Sequence, residues 1–199
     1  MDNTILFNVG YGLYVLTAKD EKGDAACIIN TFMQATSNEP IKAVIIVNKE
    51  NHTHDVIANT GQFNISLLTE AAPFSIFERF GFKSGYDKFE GLDTVARAKN
   101  GINYLTDYAN SYISCKVIGT TDLGTNTIFT AEVIDGEKLS TTPSITYAYY
   151  HKHTKPQPIP QAKPGYRCTI CNYVYEGETL PADFVCPLCK HGAKDFVKA

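Results

Sequence analysis

Apolar residues in the first 150 positions recur in short runs of strand length, several of them alternating with polar neighbours. Tyr11 to Ala18 is rich in β-formers and gives way to a polar turn from Lys19 to Asp24 around Gly23. Ala26 to Phe32 resumes the extended pattern, and Ala43 to Val47 is a short unbroken apolar run. Phe63 to Leu68 alternates with a period of two, as a half-buried strand does. Tyr112 to Thr120 and Thr127 to Ile134 predict two more strands, with Asp135-Gly136 as turn chemistry, and Ile145 to Tyr150 is a last β-like stretch. Two short helices interrupt the series. One covers Thr53 to Asn59, with Thr53 as its cap and Gly61 as its stop; the other covers Pro73 to Phe80, with the proline favourable in the first turn. The glycine-flanked stretch from Gly81 to Phe89 reads as a loop. Many short strands and few short helices predict a mainly β fold, a closed or partly closed antiparallel barrel, without internal repeats.

The pattern stops after His151. Four of the nine prolines fall between Lys155 and Pro164. Such a segment favours the polyproline II conformation at about 3 Å per residue, so its ten residues reach roughly 30 Å. The expected division is therefore a barrel over residues 1–151, a linker over 152–165 and a small module over 166–199.

Composition narrows the class. A chain of 199 residues, 44% hydrophobic and 20% charged with a net charge of −3, suits one ordinary domain plus a small module. No apolar run is long enough to span a membrane, and Met1-Asp2-Asn3-Thr4 has no basic segment ahead of an apolar one, so a cytoplasmic protein is expected. A pI near 5.9 offers no basic footprint for nucleic acid. The charge is uneven, with a balance of +1 over residues 163–199 and −4 over the rest.

The small module carries the clearest chemistry. Cys168-x-x-Cys171 and Cys186-x-x-Cys189 are separated by fourteen residues, a spacing at which four thiolates can close a tetrahedron around zinc or iron. Such a site has no open position for substrate, so its role is structural or electron-transferring. Pairing of this kind fits a metal-binding protein of the cytosol better than a secreted disulfide scaffold. Cys27 and Cys115 sit in separate apolar stretches and read as buried small hydrophobes.

The aromatic setting of the cysteines resembles rubredoxin over roughly residues 164–199. Tyr166 precedes the first pair, Tyr173 and Tyr175 follow it, and Phe184 and Lys194-Asp195-Phe196 match the closing segment. The resemblance implies one iron in the four-cysteine site. Rubredoxins usually carry glycine after the second cysteine of each pair, where this chain has Asn172 and Lys190. Asparagine tolerates a left-handed backbone, lysine less so, and the second knuckle is expected to follow a slightly longer path.

Residues 5–151 resemble the split-barrel flavin reductases on three stretches: Asn30 to Ser37 with Pro40, Asn48 to His54, and Phe82 to Phe89 with Ser84-Gly85 and Asp87-Lys88-Phe89. The resemblance implies an FMN-binding split barrel. The cofactor residues it implies are Asn30, Thr31, Phe32, Gln34, Ala35, Thr36, Asn48, Lys49, Asn51, Thr53 and His54. Amides and hydroxyls among them suit the flavin carbonyls, ring nitrogens and ribityl chain, and a helix starting near Thr53 suits the phosphate. No Gly-x-Gly-x-x-Gly cradle is present. His52 and His54 lack an evident third metal ligand, no catalytic serine, histidine and acid arrangement stands out, and His151 could face the flavin or solvent. Relatives often carry histidine where this chain has Asn126, which puts direct oxidation of NAD(P)H in question.

The combination of barrel, linker and tail resembles the high-molecular-weight rubredoxins of anaerobic bacteria. It implies a homodimer that relays electrons from a rubredoxin reductase-type, NADH-linked donor through FMN to iron, and on to a flavodiiron-type reductase of oxygen or nitric oxide. Two other readings stay open on the residues alone: an NAD(P)H-dependent flavin or ferric reductase using its own tail as acceptor, and an FMN-binding module stapled by zinc.

Overall fold

The computed structural model describes residues 5, 9–83, 85, 87–156 and 165–198. Most of the proline-rich linker (157–164), and Ser84 and Tyr86 of the glycine-flanked loop, lie outside the described residues.

The polar turn near Gly23 is a tight hairpin. β1 (Tyr14–Asp20) and β2 (Gly23–Ile29) are joined by Glu21-Lys22, and Asp20 Oδ1 accepts from the amides of Lys22 at 2.9 Å and Gly23 at 3.1 Å. The chain continues through β3 (Phe32–Gln34), β4 (Lys42–Asn48), helix α1 (His52–Thr60), β5 (Gln62–Leu68) and helix α2 (Phe74–Gly81). A small ribbon, β6 (Val95–Arg97) and β7 (Asn103–Leu105), precedes the long pair β8 (Ala109–Asp122) and β9 (Asn126–Lys138). Seven strands form one antiparallel sheet in the order β2-β1-β5-β8-β9-β4-β3. Its two edges, β2 and β3, are consecutive in sequence with only Asn30-Thr31 between them. Two residues reach about 11 Å at most between the flanking Cα atoms, so the sheet must curl until its edges nearly meet. That is a split barrel.

Alternation sets what fills it. Ala43, Ile45 and Val47 of β4 and Phe129 and Ala131 of β9 point inward, where Leu16, Phe63 and Ile65 meet Val56 and Ile57 of α1. A second cluster lies on the other face of β1 and β5, where Val15 and Leu68 pack on Ile76, Phe77 and Phe80 of α2. β1 is therefore buried on both faces from Val15 to Ala18, which is why its sequence does not alternate cleanly.

Several expectations need correction. Asn51, with φ −77° and ψ 122°, caps α1, while Thr53 lies inside the first turn and is buried; Gly61 ends the helix in the left-handed region at φ 68°. Ala26 to Phe32 is not one strand: it breaks after Ile29, where the chain crosses from one sheet edge to the other. Asp135-Gly136 is not a turn, because β9 runs on to Lys138 past a register shift opposite Ser114 and Cys115. A glycine is needed at 136 because a Cβ there would lie 2.8 Å from the carbonyl oxygen of Tyr112. Ile145 to Tyr150 is not extended: a short turn α3 (Tyr147–Tyr149), whose first turn is capped by the Thr146 hydroxyl, opens into a wider π-helical turn at Tyr150–Thr154.

The β6–β7 ribbon escapes the hydrophobic pattern because buried side chains hold it. Thr17 Oγ1 donates to Asn103 O at 2.6 Å, Asn64 Nδ2 to Ile102 O at 3.0 Å, and Leu105 N to Ser66 Oγ at 3.0 Å. Asn64→Leu is expected to destabilise the fold by about 2–3 kcal/mol, since it strands buried acceptors on the ribbon. A urea titration followed by circular dichroism checks this; a loss below ~0.5 kcal/mol would contradict it.

The C-terminal residues form a separate three-stranded sheet, β10 (Gly165–Cys168), β11 (Val174–Glu176) and β12 (Phe196–Lys198), in the order β11-β10-β12. Phe184 packs edge-on against Tyr175 at 4.8 Å and Phe196 at 5.3 Å between ring centroids, beside the buried cysteines.

Candidate functional site

Each Cys-x-x-Cys pair closes a turn of the same construction. Asn172 N donates to Cys168 O at 3.0 Å and Lys190 N to Cys186 O at 2.9 Å, while Cys168 N donates to Tyr173 O and Cys186 N to His191 O, both at 2.8 Å. Asn172 and Lys190 both adopt φ 64°, the left-handed geometry that glycine would otherwise supply. The longer path expected at Lys190 is therefore absent: lysine takes up the left-handed conformation, and the two knuckles match.

These turns bring the four sulfurs together. Cys168 Sγ lies 3.6 Å from Cys189 Sγ and Cys171 Sγ 3.5 Å from Cys186 Sγ, and all four are within 4.8 Å of one another. A tetrahedron with metal–sulfur bonds of about 2.3 Å has edges of roughly 3.8 Å, so the cage fits one metal ion without rearrangement. Backbone amides face the sulfurs as well: those of Leu188 and Cys189 point at Cys186, that of Tyr173 at Cys171, and that of His191 at Cys189. Such N–H···S contacts stabilise sulfur-borne negative charge and tune a bound metal. The two remaining cysteines behave differently. Burial pushes the Cys27 thiol up to about 11 and that of Cys115 to about 12, so both stay protonated and inert.

The barrel offers a cleft along the start of α1. A cavity of about 270 Å³ is lined by Leu13, Ile28, Asn30, Asn48, Asn126 and Tyr147, with Asn51 at its edge. A larger one of about 380 Å³ continues from Asn51 past Thr53, Phe82 and Lys88 to Cys189 and Lys190. The first combines apolar walls with four amide side chains; the second joins a helix N-terminus to the lysines at 83, 88, 190 and 194, opposed by Glu50 and Asp195. A flat polar ring in the first and an anionic end in the second suit this donor set. Lys88 is buried and donates to Ala26 O at 2.6 Å and Phe80 O at 3.0 Å, and burial lowers its pKa.

The eleven barrel residues singled out from the sequence do not all meet there. Asn30, Asn48, Asn51 and Thr53 line the cleft, the Thr53 hydroxyl being hydrogen-bonded to the Cys27 thiol. Thr31 lies just before β3, and Phe32, Gln34, Ala35 and Thr36 sit on β3 and the turn after it, all outside both cavities. There Phe32 packs on Tyr14, Gln34 Nε2 donates to Thr36 O, and Thr36 Oγ1 accepts from Lys42 N. Lys49 Nζ is ion-paired to Asp122 at 2.7 Å. His54 is held between Asp55 and Thr127 at 2.9 Å each, with its ring edge-on to Phe129. His151 packs against Tyr147 at 4.4 Å, and burial, with Lys155 nearby, lowers its pKa.

Sequence reasoning missed the residues that bring the two sites together. Phe82 packs against the cysteine cluster, and Lys155 Nζ donates to Thr169 O at 3.1 Å. Both lie in stretches read as loop and linker. A lysine directly before a proline run carries no sign that it will be buried.

A split barrel with a polar cleft, joined to a cage of four thiolates, defines a two-centre redox protein of flavin and iron. The flavin reductase-like domain model matches residues 6–157 and the rubrerythrin rubredoxin-like domain model matches residues 166–197; the chain belongs to the flavin reductase-like family and carries a rubredoxin-like domain at its C-terminal end. The high molecular weight rubredoxin of Moorella thermoacetica is 38% identical, with 98% of this chain and 99% of that protein aligned. The ferric-chelate reductase (NAD(P)H) of Archaeoglobus fulgidus is 35% identical over 76% of this chain and 89% of that protein. Among solved structures, the NADH:FAD oxidoreductase of Streptomyces globisporus superposes with a TM-score of 0.64 at 21% identity, covering 71% of this chain and 84% of that one. The four cysteines thus form an iron centre of rubredoxin type, and the barrel is a flavin-binding domain. No helix among the described residues is long and apolar enough to cross a membrane.

Proposed function

We propose that this protein relays electrons from an NAD(P)H-linked donor of the rubredoxin reductase type, through FMN held by the barrel, to the iron and on to a flavodiiron-type reductase of oxygen or nitric oxide. One observation carries the reading: Cys189 and Lys190 of the second knuckle close the same cavity that begins at the N-terminus of α1, so the two sites share a wall. When bound, FMN takes up electrons in pairs and releases them singly, whereas iron in four thiolates carries one. In this reading Asn30 and Asn48 orient the ring, and the start of α1, with Asn51 as its cap and Lys88 beside it, holds the phosphate. Thr31, Phe32, Gln34, Ala35, Thr36, Lys49 and His54, which line neither cavity, contribute on this reading where a second copy of the chain completes the site.

We also propose the division into residues 1–151, 152–165 and 166–199, although Lys155 and Pro156 are packed on the tail and belong functionally with it. Exposed Met33, Ile118 and Ile134, on β3, β8 and β9, supply apolar surface for a homodimer. A site that needs four reduced thiolates suits the cytoplasm.

The Archaeoglobus relative favours a second reading, direct reduction by NAD(P)H, with the tail as acceptor. Against it stands Asn126 in the cleft, which lacks the imidazole that would help to position a nicotinamide there. Anaerobic addition of NADH or NADPH to the holoprotein separates the two. The relay predicts that the visible bands persist for minutes and bleach quickly only when a reductase protein is added. Rapid bleaching by the nucleotide alone would contradict the pure relay.

A further inference from the structure

We propose that Lys155 is a positioning and redox-tuning residue for the iron: it pins the first knuckle to the barrel of its own chain and draws the ferric–ferrous equilibrium toward the ferrous form. The inference rests on iron occupying the four-thiolate site.

The geometry is a two-residue grip. The wide turn that ends the barrel is closed by Lys155 N, which donates to Tyr150 O at 2.8 Å. From there the lysine side chain runs inward, only 5% exposed, and Nζ donates to the carbonyl of Thr169, the residue after Cys168. The next residue, Pro156, offers its carbonyl to Nδ2 of Asn172, the left-handed residue after Cys171. Consecutive residues thus hold both ends of the Cys168–Cys171 turn. Phe82 packs against the cysteine cluster, and Phe82, Tyr150, Thr169 and Ile170 wall a further cavity beside Lys155. The segment expected to begin an extended, freely reaching linker is instead part of the docking surface.

Charge gives the lysine a second role. Placing an ammonium this deep is costly unless a negative charge compensates it. Burial is the largest influence and lowers the lysine pKa; among the described residues the sulfurs of Cys171, Cys168 and Cys189 favour the charged form and Arg167 opposes it. With iron bound, four thiolates leave a net charge of about −1 in the ferric state and −2 in the ferrous state. A fixed cation gains more from the second than from the first. Removing it therefore shifts the balance toward ferric iron.

The test is an anaerobic spectroelectrochemical titration of the full chain after loading with ferrous iron, read in the visible bands of the ferric centre. Lys155→Met, which keeps the length and apolar stem, should move the equilibrium about tenfold toward ferric, about 59 mV lower for a one-electron couple. Lys155→Arg should stay within about twofold of the wild type. Lys152→Met, an exposed neighbour on the same turn, should leave the potential unchanged. A midpoint for Lys155→Met equal to that of Lys152→Met overturns the tuning role. Amine-reactive labelling of the unmutated, iron-loaded chain tests the positioning independently. Lys152 should label quickly and Lys155 should be protected; equal labelling overturns the docked arrangement. A chain that takes up no iron would refute the functional reading itself, whereas an iron-coloured chain with an unmoved potential refutes only the part assigned to Lys155.

Discussion

Replacing Cys186 by serine abolishes native iron ligation and its visible absorption while leaving the barrel folded and loaded with flavin. A serine hydroxyl is a poor substitute for a thiolate, and even structural zinc sites of this kind have apparent binding energies of about 10–16 kcal/mol, so the loss of a ligand is large. Its confinement follows from packing. The cysteines belong to a cluster with Phe196, lined by Tyr173, Tyr175 and Phe184, whereas the barrel is built on two other clusters centred on Phe63 and Phe129 and on Phe77 and Phe80. Metal analysis and flavin extraction on the same sample check this. Loss of both cofactors would contradict the separation of the two cores.

The second large effect is electrostatic. Asn51→Asp should weaken FMN binding roughly a hundredfold and leave riboflavin binding nearly unchanged. Asn51 caps α1 without a side-chain hydrogen bond, and aspartate is as good a residue there, so the helix keeps its start. The new carboxylate meets the phosphate proposed for this end of the cleft. At about 5 Å and an effective dielectric constant near 20, two unit charges repel by about 3 kcal/mol, the equivalent of that hundredfold. Fluorescence titrations with FMN and riboflavin check it. Equal loss for both ligands would mean that the phosphate lies elsewhere.

The parts of the molecule legible in the sequence were those whose cause is local. The β-forming run from Phe63 to Leu68, the stop at Gly61 and the spacing of the four cysteines each act within a few residues, and each has its structural counterpart, although β5 is buried on both faces from Phe63 to Ser66 rather than half-buried. Local pattern failed where a distant partner decides the outcome. Gly136 looks like a turn residue, yet it lies within a strand because the backbone of Tyr112 approaches it. Ile145 to Tyr150 has β-like composition, but Tyr150 turns in to meet Phe77 of α2 at 4.5 Å, which a helical turn allows. The β6–β7 ribbon depends on side chains of Thr17, Asn64 and Ser66, 38 to 86 residues away. In the candidate site, residue types were readable but convergence was not. Asn30, Asn48 and Asn51 share a cavity, whereas His54 and Lys49, close by in sequence, are bound to Thr127 and Asp122 across the barrel. Lys190 is the converse case: it lacks the expected glycine and still adopts the glycine conformation, because the hydrogen bonds of the knuckle impose it.

In the proposed relay, electrons pass between flavin and iron inside one molecule, across the wall shared by the cleft and the second knuckle. Flash reduction of the flavin in the iron-loaded holoprotein tests it most directly, with reoxidation of the flavin and bleaching of the ferric bands followed at several protein concentrations. The relay predicts that both signals change together at a single first-order rate independent of concentration. A rate that rises in proportion to protein concentration, or a reduced flavin that leaves the iron ferric, would contradict it.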